Sequence, residues 1–194
     1  MTTRISELLA AAAERTVPVV HGIDDTQLSD PTPCAEFQVR DLVNHLFQVV
    51  VNFQALATKQ DADFDTKPDF LAGDWRNRFA DETRKLVDAW SEPAAIEGTS
   101  PRMGLPQAVV ANLVLVDLTV HGWDLSQGTG QDYTPSPEVV AAVTPFTEQM
   151  APLGRERGAF AEMTEFPPDA DEFTRLLSLT GRKAGAGGHG ARST

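Results

Sequence analysis

Residues 108–120 read as a helix that is apolar nearly all round, and the same helix runs on into "DLTVHGWDL" at 117–125. A helix that is apolar on every side is buried among other elements. Asp117, His121 and Asp124 lie within it, and each is costly to bury unless something pairs with it. Any fold that buries this helix must therefore supply partners for these groups.

Asp117 and His121 are four apart, so both side chains leave one face about a turn from each other. Val110, Val114 and Asp117 form one row, with Leu113, Val116 and Val120 in a second row beside it. A second histidine, His45, stands mid-helix in "DLVNHLFQVV", three from Leu42 and four from Val49, on or beside another apolar stripe. An aspartate and a histidine from one helix plus a histidine from another make a set of two imidazoles and one carboxylate. That set leaves positions open for water or substrate, as catalytic ions have and closed structural ions do not. Asp124 either orients an imidazole from behind or faces solvent at the helix end. A hydrogen-bonded core cluster without a metal is the competing reading of the same residues. Trp123 reads as core or pocket wall.

The other elements follow from periodicity. Helices are expected over about 4–21, 38–58, 69–90, 105–127 and 136–150, with a short one in "DEFTRLLSLTG". Pro18 is expected to kink or stop the first, and Gly128 and Gly130 to end the fourth. Four long helices with long connectors suggest a four-helix bundle, and the connectors are too long for the tightest up-and-down hairpins. Residues 1–182 are expected to form a single domain, and the Gly-rich tail 183–194, which contains His189, to be disordered.

Charge narrows the partners. The chain carries 28 acidic and 16 basic residues, a formal net of -12, which argues against nucleic acid and anionic membrane. No uninterrupted apolar stretch approaches the ~20 residues of a bilayer-spanning helix. Glu7 and Glu14 interrupt the N-terminal segment, which reads as a helix of the mature protein and not as a secretory signal. The single cysteine, Cys34, rules out an intramolecular disulfide and fits a reducing cytoplasm. It reads as a small residue fixing the connector before the second helix, with a nucleophilic role as the alternative. Arg40 reads as an ion-pairing or packing residue. "SQGTGQ" follows a helix and not a strand, so it fails as a phosphate loop. A small-molecule substrate or thiol is the expected partner, and homodimerisation is left open.

Three blocks carry a resemblance: "TPCAEFQVRDLVNHL" at 32–46, "VDLTVHGWDLSQGTG" at 116–130 and "DEFTRLLSLTGR" at 171–182. Together they resemble an actinobacterial metal-binding group similar to the N-terminal domain of mycothiol-dependent maleylpyruvate isomerase, within the DinB-like superfamily. The resemblance implies an all-α, DinB-like four-helix bundle with additional C-terminal helical segments. It also implies a divalent ion between helices, with His45, Asp117 and His121 as ligands. In the isomerase the carboxylate ligand is a glutamate, so Asp117 reaches one methylene less far. Zinc is the expected ion, with nickel or iron as alternatives, and mycothiol is a candidate cofactor. The implied activity is a thiol transferase or a thiol-dependent isomerase, the alternative being a non-catalytic metal- or small-ligand-binding module. The resemblance does not carry the substrate.

Overall fold

Thr3 opens the first helix by satisfying both ends of a capping box. Its hydroxyl accepts the Ser6 N–H at 3.1 Å, and the Ser6 hydroxyl accepts the Thr3 N–H at 3.1 Å. The structure, a computed structural model, describes residues 3–35 and 37–183. Helix α1 runs over Arg4–His21, α2 over Val39–Ala57 and α3 over Trp75–Ser91. Helix α4 covers Gln107–Thr129, α5 Pro137–Glu156 and α6 Glu172–Leu179. Short 3₁₀ turns lie at Asp25–Gln27 and Pro93–Ile96. No strand occurs among the described residues, so the chain is all-α as expected. Most of the tail, His189 included, lies outside the described residues.

Helix α1 covers its expected span, while the bounds of α3 and α5 differ from the periodicity, α5 running on to Glu156 instead of ending near 150. Helix α1 continues through Pro18 for most of a turn, and the Gly22 N–H caps the Pro18 carbonyl at 2.9 Å. Helix α3 starts at Trp75 and not near 69, because Phe70 and Leu71 belong to the connector. The Phe70 N–H donates to Asn44 Oδ1 at 2.7 Å, and its ring stacks on Phe47 with centroids 4.9 Å apart. Gly73 then takes φ 63°, a left-handed conformation that a helix cannot include. At the same end of the bundle, only Gly130 (φ 67°) terminates α4. Gly128 lies inside that helix, where a Cβ would come within 3.0 Å of the Pro31 carbonyl. Its role is to let the 22–38 connector approach.

The described chain divides into two compact units, Met1–Val139 and Val140–Thr194. In the first, α1 packs on α3 and α4, and α2 packs on the same two helices. Consecutive helices α1 and α2 are thus diagonal, as are α3 and α4. Side-chain bonds give the directions. Thr3 Oγ1 donates to the Trp90 carbonyl, and Arg76 at the start of α3 donates to the Ile23 carbonyl, so α1 and α3 are antiparallel. Gln107 at the start of α4 donates to the Leu56 carbonyl near the end of α2, so this pair is antiparallel too. Trp90 at the end of α3 donates to the Phe53 carbonyl late in α2, so those two are parallel and the order is up, down, down, up. Diagonal and parallel neighbours cannot be joined by tight turns, which is the physical reason for the long connectors. The 58–74 connector must return the whole length of α2. It does so along that helix, with its Asp63 carbonyl accepting from both Asn52 and Gln48 and its Thr66 carbonyl from Gln48.

Helix α4 is the one helix among the described residues long and apolar enough to cross a membrane by composition. Most of it is buried within the protein, as a core helix is. In the second unit, Arg175 of α6 pairs with Glu148 of α5 at 2.5 Å, and Asp171 caps α6 by accepting the Thr174 N–H at 2.7 Å.

Tyr133, the only tyrosine, lies against Gly122 of α4 beside Thr16 of α1. A Cβ on Gly122 would fall 2.5 Å from Thr16 Oγ1 and 3.0 Å from the tyrosine ring. Burial pushes the Tyr133 phenol from 10.0 up to about 12, against the smaller opposing pull of its hydrogen bond with Thr16 and of Arg15. An alkaline titration followed by phenolate absorbance is expected to show no transition near 10.0 in the folded protein. Because the folded state keeps a proton that the unfolded chain loses, stability should fall as pH rises from 10.0 toward about 12. A phenolate midpoint at the ordinary value would mean that the ring is not packed against α4.

Candidate metal centre

Helices α2 and α4 run antiparallel, which sets the early turns of α2 beside the late turns of α4. Val39 contacts Gly128, and two turns further in His45 meets His121. Their rings lie 5.1 Å apart between centroids and at 90° to each other. Phe37, just before α2, stacks on His45 at 5.5 Å with an interplanar angle of 18°. The imidazole of His45 is held between that ring and His121.

Helix α4 supplies the remainder. Asp117 sits one turn before His121, and its Oδ1 is 3.8 Å from His121 Nε2. Asp124, three residues after His121 and fully buried, places Oδ2 2.9 Å from Nδ1. A carboxylate against Nδ1 selects the tautomer with the proton there, which leaves the Nε2 lone pair directed toward Asp117. Exposure follows a gradient, with side-chain values of 0% for Asp124, 11% for His121 and 28% for Asp117. The open end of the cluster is therefore at Asp117 and the closed end at Asp124.

Ligand atoms of His45, Asp117 and His121 all lie within 4.8 Å of one another, so the structure brings together the three residues singled out by spacing. Two atoms bound to one tetrahedral ion at about 2.1 Å sit about 3.4 Å apart. The 3.8 Å between His121 and Asp117 is close to that figure, and the His45 donor lies within 4.8 Å of both. The donors suit a borderline divalent ion. Of the two placements open for Asp124, the structure has the inward one. Trp123 is buried as core or wall, and Arg40 is exposed.

A second grouping was not evident from the sequence. Cys34, His121 and Asp124 also place ligand atoms within 4.8 Å of one another. Cys34 sits in a turn closed by the Phe37 N–H donating to its carbonyl at 2.8 Å. The Thr32 hydroxyl bonds the carbonyls of Cys34 and Phe37 at 3.1 and 2.8 Å. This turn delivers both Phe37 and Cys34 to the site. Eleven positions separate Cys34 from His45 and no helical register relates them, so spacing offered no signal.

If Asp124 sets the tautomer and basicity of His121, the Asp124→Asn variant should bind a divalent ion roughly 10–100-fold more weakly. Equilibrium dialysis against zinc would measure it, and unchanged affinity would remove Asp124 from the centre.

The family model of the mycothiol maleylpyruvate isomerase N-terminal domain matches residues 9–126, which include every residue of both groupings. An uncharacterized protein of Mycobacterium tuberculosis, present in two strains, is 28% identical over 168 residues, covering 80% of this chain and 87% of its own length. No solved structure matches significantly.

Proposed function

The chain belongs to the family of the mycothiol maleylpyruvate isomerase N-terminal domain, and on that premise we propose that it is a divalent-metal protein acting as a thiol transferase or thiol-dependent isomerase on a small molecule. His45, Asp117 and His121 are its metal ligands in this reading. The observation that carries it is the convergence of those three side chains from two antiparallel helices, with Asp124 fixing the orientation of His121.

Zinc fits two imidazoles and a carboxylate with positions left open, with nickel or iron as the alternatives. When bound, such an ion supplies Lewis acidity and holds an exogenous thiol as its thiolate. The chain's own residues do the positioning. Asp124 holds the proton on Nδ1 of His121, so that Nε2 is the donor turned toward Asp117. Phe37 restrains the ring of His45 by stacking. Asp117, more exposed than His121, lies on the side from which a substrate or thiol enters. Its short side chain draws the centre toward α4.

Mycothiol is the candidate thiol, and this is a proposal from family membership. A reducing cytoplasm suits the single cysteine, and the net charge of -12 favours a small-molecule partner over nucleic acid or membrane. A homodimer is compatible with the reading.

Elemental analysis of protein purified without a metal-binding tag tests the proposal. About one equivalent of zinc, nickel or iron per chain supports it, and turnover of a thiol with a panel of small electrophiles or isomerisable acids would identify the reaction. Metal without turnover on any thiol would make the chain a binding module. Absence of metal after divalent ions are added back would sink the reading.

A further inference from the structure

We propose that Cys34, His121 and Asp124 form a second ion position, on the Nδ1 edge of the same imidazole, that takes a thiophilic ion. This deepens the reading above and rests on it for the role of His121. The Nε2 edge faces Asp117, and the Nδ1 edge faces Asp124 at 2.9 Å. Cys34 comes within 4.8 Å of donor atoms on both His121 and Asp124. One imidazole is therefore flanked by two different donor sets, nitrogen and oxygen on one edge and sulfur and oxygen on the other.

The second set is the drier one. Asp124 is fully buried and the His121 side chain is 11% exposed, whereas the first set includes the more open Asp117. The approach of Cys34 is also built into the fold. Gly128 lets Pro31 and Thr32 lie directly on α4, and the Thr32 hydroxyl braces the turn that holds Cys34. A side chain at Gly128 would push that turn away from the helix.

Chemistry divides the two positions. Thiolate donors select zinc, cadmium or copper(I), whereas imidazole with carboxylate also accepts harder ions. Entry of an ion on the sulfur side requires Cys34 to bind as the thiolate and Nδ1 to give up the proton it shares with Asp124. The ring proton moves to Nε2, which keeps the imidazole neutral, the thiol proton leaves to solvent, and the ion gains bonds to sulfur, nitrogen and oxygen. A neutral imidazole has one lone pair, so His121 serves one edge at a time and the positions compete. The identity of the ion then decides whether the open His45–Asp117 side is the occupied one.

Cobalt(II) titration of the full chain, followed by absorbance, tests this because Cys34 is the only cysteine. The wild type is expected to show a near-ultraviolet sulfur-to-cobalt charge-transfer band. His45→Ala should retain the band, and Cys34→Ser should lose it while still binding cobalt through nitrogen and oxygen. Helical circular dichroism confirms that each variant is folded. Cobalt bound by the wild type without the sulfur band overturns the proposal and leaves the histidine–aspartate centre standing. A band that vanishes in His45→Ala also overturns it, by placing Cys34 on the first ion instead of a second. Failure to bind cobalt at all overturns both readings.

Discussion

Replacing His121 with alanine is expected to take the chain from about one bound divalent ion to none, because it removes the residue that both helices and both carboxylates converge on. The substitution also takes from fully buried Asp124 the hydrogen bond to Nδ1. Breaking a buried pair by removing one partner commonly costs about 3–5 kcal/mol, so loss of metal and loss of stability have to be separated. His45→Ala separates them, since it leaves the His121–Asp124 pair intact and removes a half-buried ring from the other helix. Elemental analysis with a denaturant melt on wild type, His121→Ala and His45→Ala decides the matter. In a Cys34→Ser background, which removes the sulfur-side position, both variants should lose the ion, while only His121→Ala should lose much stability. An ion retained in full by either variant would exclude that residue as a ligand.

The second large effect is structural. Trp90, at the end of α3, has no exposed surface, and its indole N–H donates to the Phe53 carbonyl of α2 at 3.1 Å. Its own carbonyl accepts the Thr3 hydroxyl from the start of α1 at 2.7 Å. One residue thus ties together three helices at one end of the bundle. Trp90→Ala should destabilise the protein by about 3–5 kcal/mol through the cavity and the lost indole bond. Met163→Ala, at a position 55% exposed, should stay within about 0.5 kcal/mol of wild type. Urea denaturation measures both. A loss below about 1 kcal/mol for Trp90→Ala would mean that the helices do not close around this ring. The metal centre lies toward the opposite end of α2, so Trp90→Ala should bind the ion normally wherever it remains folded.

These two sites differ in how they could be read from the chain. Asp117 and His121 announced themselves because helical geometry is local: four residues make one turn, whatever the surroundings. His45 was legible for the same reason, as a polar ring on an apolar stripe. Asp124 was only half legible. Its spacing put it near the face of His121, but whether a helix end is buried depends on what lies across it, here the 22–38 connector pressed onto Gly128. Phe70 and Leu71 fitted the helical period of α3 yet belong to a connector, because an apolar ring packs as well from an extended segment as from a helix. Periodicity cannot tell those cases apart.

The helices, apart from the start of α3 and the end of α5, the burial of α4 and the three polar residues that interrupt apolar faces were legible along the chain, since each follows from a pattern within a few residues. Only the tertiary structure decided the up, down, down, up order, the return of 58–74 along α2, the inward placement of Asp124 and the arrival of Cys34 beside His121. Those depend on which surfaces meet across long separations, and loop closure costs so little more with added length that a connector's length does not reveal its path.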